Sequence, residues 1–185
     1  STAVALVIRQ LADAQGQAHI KKSVREIWSR SVCLSSMSHA VAGQRDELNE
    51  ETAFMCGLLH DVGKLYVLGK ANNFPGLFAN EASLAHVLNE WNQQIGKCIV
   101  EAWGFPEEVV ESVVPDEFLV AHGQGSPKMV DVVHVAGVML DNKDGDWTEV
   151  LALPASQRLG INDKSIEAIQ ADYQEKLITV QQSFA

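Results

Sequence analysis

The sequence predicts an all-α protein, a compact multi-helix bundle. Apolar residues recur at helical spacing almost throughout, beginning with Val4, Val7, Ile8 and Leu11, then Val24, Ile27, Trp28 and Val32. No segment sustains the strict alternation of a half-buried strand. The 185 residues are 46% hydrophobic and 21% charged, enough to bury one sizeable core, so the composition excludes disorder for most of the chain.

The elements follow in order. A helix over about Ile20 to Gly43 carries Ser31, Ser35 and Ser38 on one stripe, where another helix can approach closely, and Gly43 suits its C-terminal stop. The next helix, Asn49 to about Leu68, has Asn49 as its cap and Glu50 and Glu51 in its first turn, where carboxylates suit the helix dipole. From Ala53 onward it is apolar nearly all round, so it is expected at the centre of the bundle. A loop with Asn72, Asn73, Pro75 and Gly76 leads to a long helix from about Glu81 that Gly104 terminates. Pro106 starts another, with Glu107 and Glu108 in its first turn. Pro115 and the Gly123 to Pro127 stretch mark a second loop, and Lys128 to about Leu140 is an apolar helix. Asp141 to Ser156 reads as polar and irregular, and Asn162 caps a last amphipathic helix.

Charge and cysteine usage exclude several functions. With 14 Lys+Arg against 24 Asp+Glu the formal net charge is −10, which repels phosphate backbones, so no direct nucleic-acid binding is expected. Cys33, Cys56 and Cys98 fit neither a zinc site nor a disulfide framework and are expected as small buried hydrophobes in a reducing cytosol. The apolar run Val132 to Leu140 is too short to span a bilayer, and no secretory pattern opens the chain, so a soluble cytoplasmic protein is expected. Beginning at Ser1 rather than Met, the sequence admits an upstream domain not included in it.

One polar pair stands out: His60-Asp61 sits inside the most apolar helix, where a buried charge needs a partner. Either the pair ligates a metal, since imidazole and carboxylate suit Mn, Fe or Zn, or it is an internal polar cluster with Lys64 as a local ion-pair partner. Among the other histidines, His39 is expected exposed or capping, His86 in a surface pair with Glu90, His134 as a satisfied core residue, and His122 in solvent. Trp28, Trp91 and Trp103 are expected to pack in the core. Trp147 lies in a polar turn whose Asp144-Gly145-Asp146 is too short for a calcium loop.

Gly57-Leu58-Leu59-His60-Asp61-Val62-Gly63-Lys64-Leu65 resembles the GLLHD(I/V)GK signature of the HD superfamily of metal-dependent phosphohydrolases. The surroundings resemble one branch, the HDOD domains (HD-related output domains of bacterial signalling proteins). The segments that carry this are Ile27-Trp28-Ser29-Arg30-Ser31, Ile95-Gly96 to Trp103-Gly104-Phe105-Pro106, and Leu159-Gly160-Ile161-Asn162. The resemblance covers about residues 24 to 180. It implies that 1–20 is the end of an N-terminal helical region and 21–185 the HD-like domain.

The superfamily's H…HD…D metal core, as the resemblance implies it, survives here only at His60 and Asp61. Arg30 stands where the first histidine is expected, Asn92 at a later histidine, Pro115-Asp116 near a histidine pair, and Gly137 at the terminal aspartate. The expected function is therefore a non-catalytic signalling output or protein-interaction domain, partnered by another signalling protein. Its degenerate site would comprise Arg30, His60, Asp61, Lys64 and Asn92, with no cofactor. In that site the Arg30 guanidinium is expected to pair with Asp61 in place of a metal's charge. The rival expectation is a divergent phosphohydrolase in which His60, Asp61 and a relocated His134 or His86 hold Mn, Fe or Mg and cleave a phosphoester or nucleotide. A third is a nucleotide or anion site without turnover, with Arg30 and Lys64 on phosphate. Asp141 to Ser156 and the Pro115 to Pro127 loop are the expected interaction surfaces.

Overall fold

In a computed structural model of the chain, residues 18–70, 73, 81–113, 125–142 and 144–184 are described, and among them every regular element is a helix. The 1–17 segment, most of the loops around 71–80 and 114–124, and His122 with its loop lie outside the described residues. The helices are α1 (Ala18–Ala42), α2 (Glu50–Leu59), α3 (Val62–Gly69), α4 (Glu81–Ala102), α5 (Glu107–Val113), α6 (Met129–Asp141), α7 (Thr148–Ala152), α8 (Pro154–Leu159) and α9 (Asp163–Phe184). None is long and apolar enough to cross a membrane.

The α1 serines do form an approach surface. Ser31, Ser35, Ser36 and Ser38 are all buried, and a Cβ on Gly57 of α2 would lie 2.7 Å from the Leu34 carbonyl oxygen and the Ser35 Cα. Two helix backbones touch there because neither presents a large side chain. α9 covers another side of α1, and α6 closes the bundle against α1, α2 and α5. The core between them is built by Leu58, Leu59, Val62 and Leu65 of α2 and α3 with Val41, Val132, Val135 and Ile169.

Three expectations about elements need correction. The helix expected over Asn49 to Leu68 is broken at His60-Asp61 into α2 and α3, and the cause is a side chain from α4. In an unbroken helix the Lys64 N–H would donate to the His60 carbonyl. Instead Lys64 N donates to Asn92 Oδ1 at 3.0 Å and Asn92 Nδ2 donates to the His60 carbonyl at 3.3 Å, so one carboxamide takes both ends of the lost rung. The expected irregular stretch Asp141 to Ser156 contains α7 and the start of α8. There Asp146 Oδ1 accepts from Thr148 N, and Trp147 folds back to pack, half-buried, against the core. Of the three tryptophans assigned to the core, Trp28 is half-buried against it, whereas Trp91 and Trp103 remain 48% and 41% exposed. The buried line of α4 runs instead through Leu84, Leu88, Asn92, Gly96 and Val100, where small residues allow close approach. A Cβ on Gly63 would fall 2.1 Å from the Asn92 carbonyl oxygen, so a bulkier contact cannot be accommodated. The cysteines also divide: Cys56 is buried, Cys33 half-buried and Cys98 exposed.

The expected caps hold. Asn49 Oδ1 accepts from Thr52 N at 2.8 Å, and Asn162 Oδ1 accepts from Lys164 N at 3.0 Å. Gly160, at φ 68°, turns the chain from α8 toward α9 in a conformation that favours glycine.

Candidate functional site

The break between α2 and α3 sets His60 and Asp61 at the edge of a cavity of about 640 Å³, a size that suits a small molecule. Its lining includes Arg30 from α1, Lys64 from α3, Gln93 from α4, Ser112 from α5, and His134, Gly137 and Asp141 from α6. Topology thus brings to one wall Arg30, the His60-Asp61 pair and Gly137, four of the positions at which the resemblance implies metal ligands.

Asp61 is only 4% exposed, and one of its carboxylate oxygens, Oδ1, takes two partners. Lys64 Nζ lies 2.9 Å from Asp61 Oδ1, and Asn92 Nδ2 donates to the same oxygen at 3.2 Å. His60 Nδ1 lies 3.2 Å from the Ser112 carbonyl, a contact that orients the ring. Asn92 bonds to Lys64, His60 and Asp61 together.

Arg30 does not pair with Asp61. Its guanidinium forms a two-pronged bond with Asp141 at the C-terminal end of α6, Nη1 to Oδ1 at 2.7 Å and Nη2 to Oδ2 at 2.8 Å. That bond raises the Arg30 pKa further, with Asp61 contributing only through space. The reason is competition: Asp61 already pairs with Lys64 and accepts from Asn92, while Asp141 offers both oxygens to a planar fork. Both members are substantially exposed, so this is a surface pair.

His134 is not a core histidine but is exposed at the cavity, one helical turn before Gly137 and Val138, which share that wall. Burial of its ring nitrogen environment lowers its pKa, with Asp131 opposing, so the imidazole is neutral at neutral pH. His86 pairs with Glu90 at 3.1 Å on the exposed face of α4. His39 is half-buried and lies 3.3 Å from Glu50 and 3.6 Å from Glu51. The Cys56 thiol, pushed up to about 11 by burial, is no nucleophile.

The donor set does not fit a resident metal. Each carboxylate on the cavity wall already holds a side-chain cation, Asp61 with Lys64 and Asp141 with Arg30. Among the described residues no three His, Cys, Asp or Glu side chains are grouped to hold an ion. One strong feature escaped sequence reasoning: Asp131, 2% exposed, accepts from Arg158 Nε and Nη2 and from Lys128 N. An aspartate in the first turn of an otherwise apolar helix was its only sequence signal.

The HDOD domain family matches the chain over residues 1–116. Among solved structures, that of a "putative metal-dependent phosphohydrolase" from Shewanella amazonensis SB2B superposes with a TM-score of 0.65 at 21% identity. It covers 92% of this chain, which spans 66% of that one, and the likeness at this identity is one of fold. No curated protein matches the sequence.

Proposed function

The chain belongs to the HDOD domain family, and on that premise we propose that it is a non-catalytic output and protein-interaction domain of bacterial cytoplasmic signalling. Its HD site is degenerate, and residues 21–185 form the HD-like unit. The observation that carries the reading is the neutralised cavity wall, where Lys64 and Arg30 occupy the carboxylates that a divalent ion would need. Hydrolysis at a metal-activated water requires a complete set of ligands around the ion. Elemental analysis of protein purified without chelator, then soaked with Mn and with Fe, is expected to find near-zero occupancy. About one ion per chain, with phosphate released from p-nitrophenyl phosphate, would sink the proposal.

A second reading keeps a divergent phosphohydrolase acting on a phosphoester or nucleotide. What favours it is that His60, Asp61 and His134 all line the same cavity. The same two measurements decide between the readings.

A further inference from the structure

Two large exposed hydrophobic residues, Trp91 and Trp103, lie on α4 and at its end. At 100° per residue, Val87, Trp91, Ile95, Cys98 and Ala102 fall within about 80° of one another on the helix, beside its buried line. Val87 and Ile95 are half-buried, Cys98 and Ala102 exposed, and Trp91 is 48% exposed. At the helix end Trp103 stands 6.5 Å from the Phe105 ring. An apolar strip of this kind, spaced i, i+4, i+8, i+11 and i+15, is what one helix offers to another.

The rim of the strip is acidic. Glu90 and Glu101 flank it on α4, and a groove of about 440 Å³ between α4 and α5 has Phe105 and Val110 as its apolar lining and Glu101, Glu107 and Glu111 as its carboxylates. Lys97 lies 3.8 Å from Glu101, Lys128 3.5 Å from Glu111 and His86 3.1 Å from Glu90, all exposed surface pairs, so the four carboxylates outnumber the two lysines and Glu107 adds charge beyond these pairs. Lysine and arginine side chains suit such a place, with the stem on the apolar lining and the head on the carboxylates.

We propose that this face docks an amphipathic helix with a basic rim, supplied by another protein. The inference rests on the protein-interaction reading above and names the partner's chemistry. A second copy of this chain would set acidic rim against acidic rim, and the net charge of −10 repels anionic membranes and nucleic acid.

The test is fluorescence anisotropy of a labelled Leu/Lys peptide patterned as an amphipathic helix, with a Leu/Glu peptide of the same pattern as control. The full chain should bind the first and not the second. Trp91→Ala and Glu107→Lys should each weaken binding about tenfold. Glu167→Lys, the same charge change on exposed α9, should stay within about twofold. Circular dichroism checks that each variant is folded. Absence of peptide binding, or an equal loss in Glu167→Lys, overturns the proposal. So does self-association in sedimentation that Trp91→Ala abolishes, or binding to phosphatidylcholine vesicles, each of which assigns the face to another occupant. Metal uptake with turnover would sink the non-catalytic reading while leaving peptide binding intact.

Discussion

Two arginine–aspartate pairs in this protein differ in burial, and burial sets what each is worth. Arg158 and Asp131 have side chains only 10% and 3% exposed, so removing one strands the other in a poor solvent for charge. Arg158→Ala should cost about 3–5 kcal/mol in urea unfolding. Arg30 and Asp141 are 45% and 65% exposed, and Arg30→Ala should cost no more than about 1 kcal/mol. A large loss at Arg30 would show that it acts on Asp61 after all. His39, half-buried, and His134, exposed at the cavity but partly shielded from solvent, make a further prediction at this scale. Burial lowers the His39 pKa, with Lys176 adding to the effect and Glu50, Glu51 and Asp172 opposing it, and burial lowers that of His134. Each imidazole therefore binds its proton more readily in the unfolded chain. Their contribution is complete above the unfolded pKa of about 6.5 and is lost as pH falls through it toward the folded values. Thermal midpoints should drop between about pH 7.5 and 5.5, above the usual carboxylate range, and His39→Gln with His134→Gln should flatten that drop. A slope unchanged in the double variant would assign it elsewhere.

At the scale of elements, glycines decide where helices meet. A Cβ at Gly63 would press on the Asn92 carbonyl and one at Gly57 on the Leu34 backbone, neither of which is the end of a flexible side chain. Gly57→Ala is expected to cost about 1–3 kcal/mol and Gly63→Ala more. Gly137 lies within α6 with nothing inside 4 Å of its would-be Cβ, so Gly137→Ala should stabilise by about 0.5–1 kcal/mol. Denaturant midpoints read all three, and a neutral Gly63→Ala would mean that α3 and α4 can slide apart. The same contrast explains what sequence patterning can reach. Apolar periodicity locates most helices and the Asn49 and Asn162 caps because these signals are local. Helical position alone puts Trp91 in the core, whereas the α3–α4 contact is made by Gly63, Gly96 and Asn92. Apolar periodicity runs α2 into α3 because the carboxamide that interrupts them comes from 32 residues beyond His60.

For the whole molecule, the positions that formed the cavity were legible in the motif and its departures, but their pairing was not. Which aspartate Arg30 would reach depended on how α1 crosses α6, and no spacing along the chain encodes that crossing. The resulting cavity suggests a gain-of-function experiment. Arg30 and Gly137 replace the histidine and aspartate that the family resemblance implies, and both line the wall that holds His60 and Asp61. Gly137 has open space for a side chain, and Arg30 forms only an exposed pair, so Arg30→His with Gly137→Asp should fold with little loss. The double change removes one cation and adds two donors near the cavity, giving an ion four candidate ligands. Elemental analysis after Mn soaking should then find about one ion per chain in the variant and near zero in the parent. If the folded variant stays empty, the Lys64 ammonium at 2.9 Å from Asp61 is what excludes the ion. Adding Lys64→Gln should then restore uptake, because Asp61 would regain the lone pairs that Lys64 now holds.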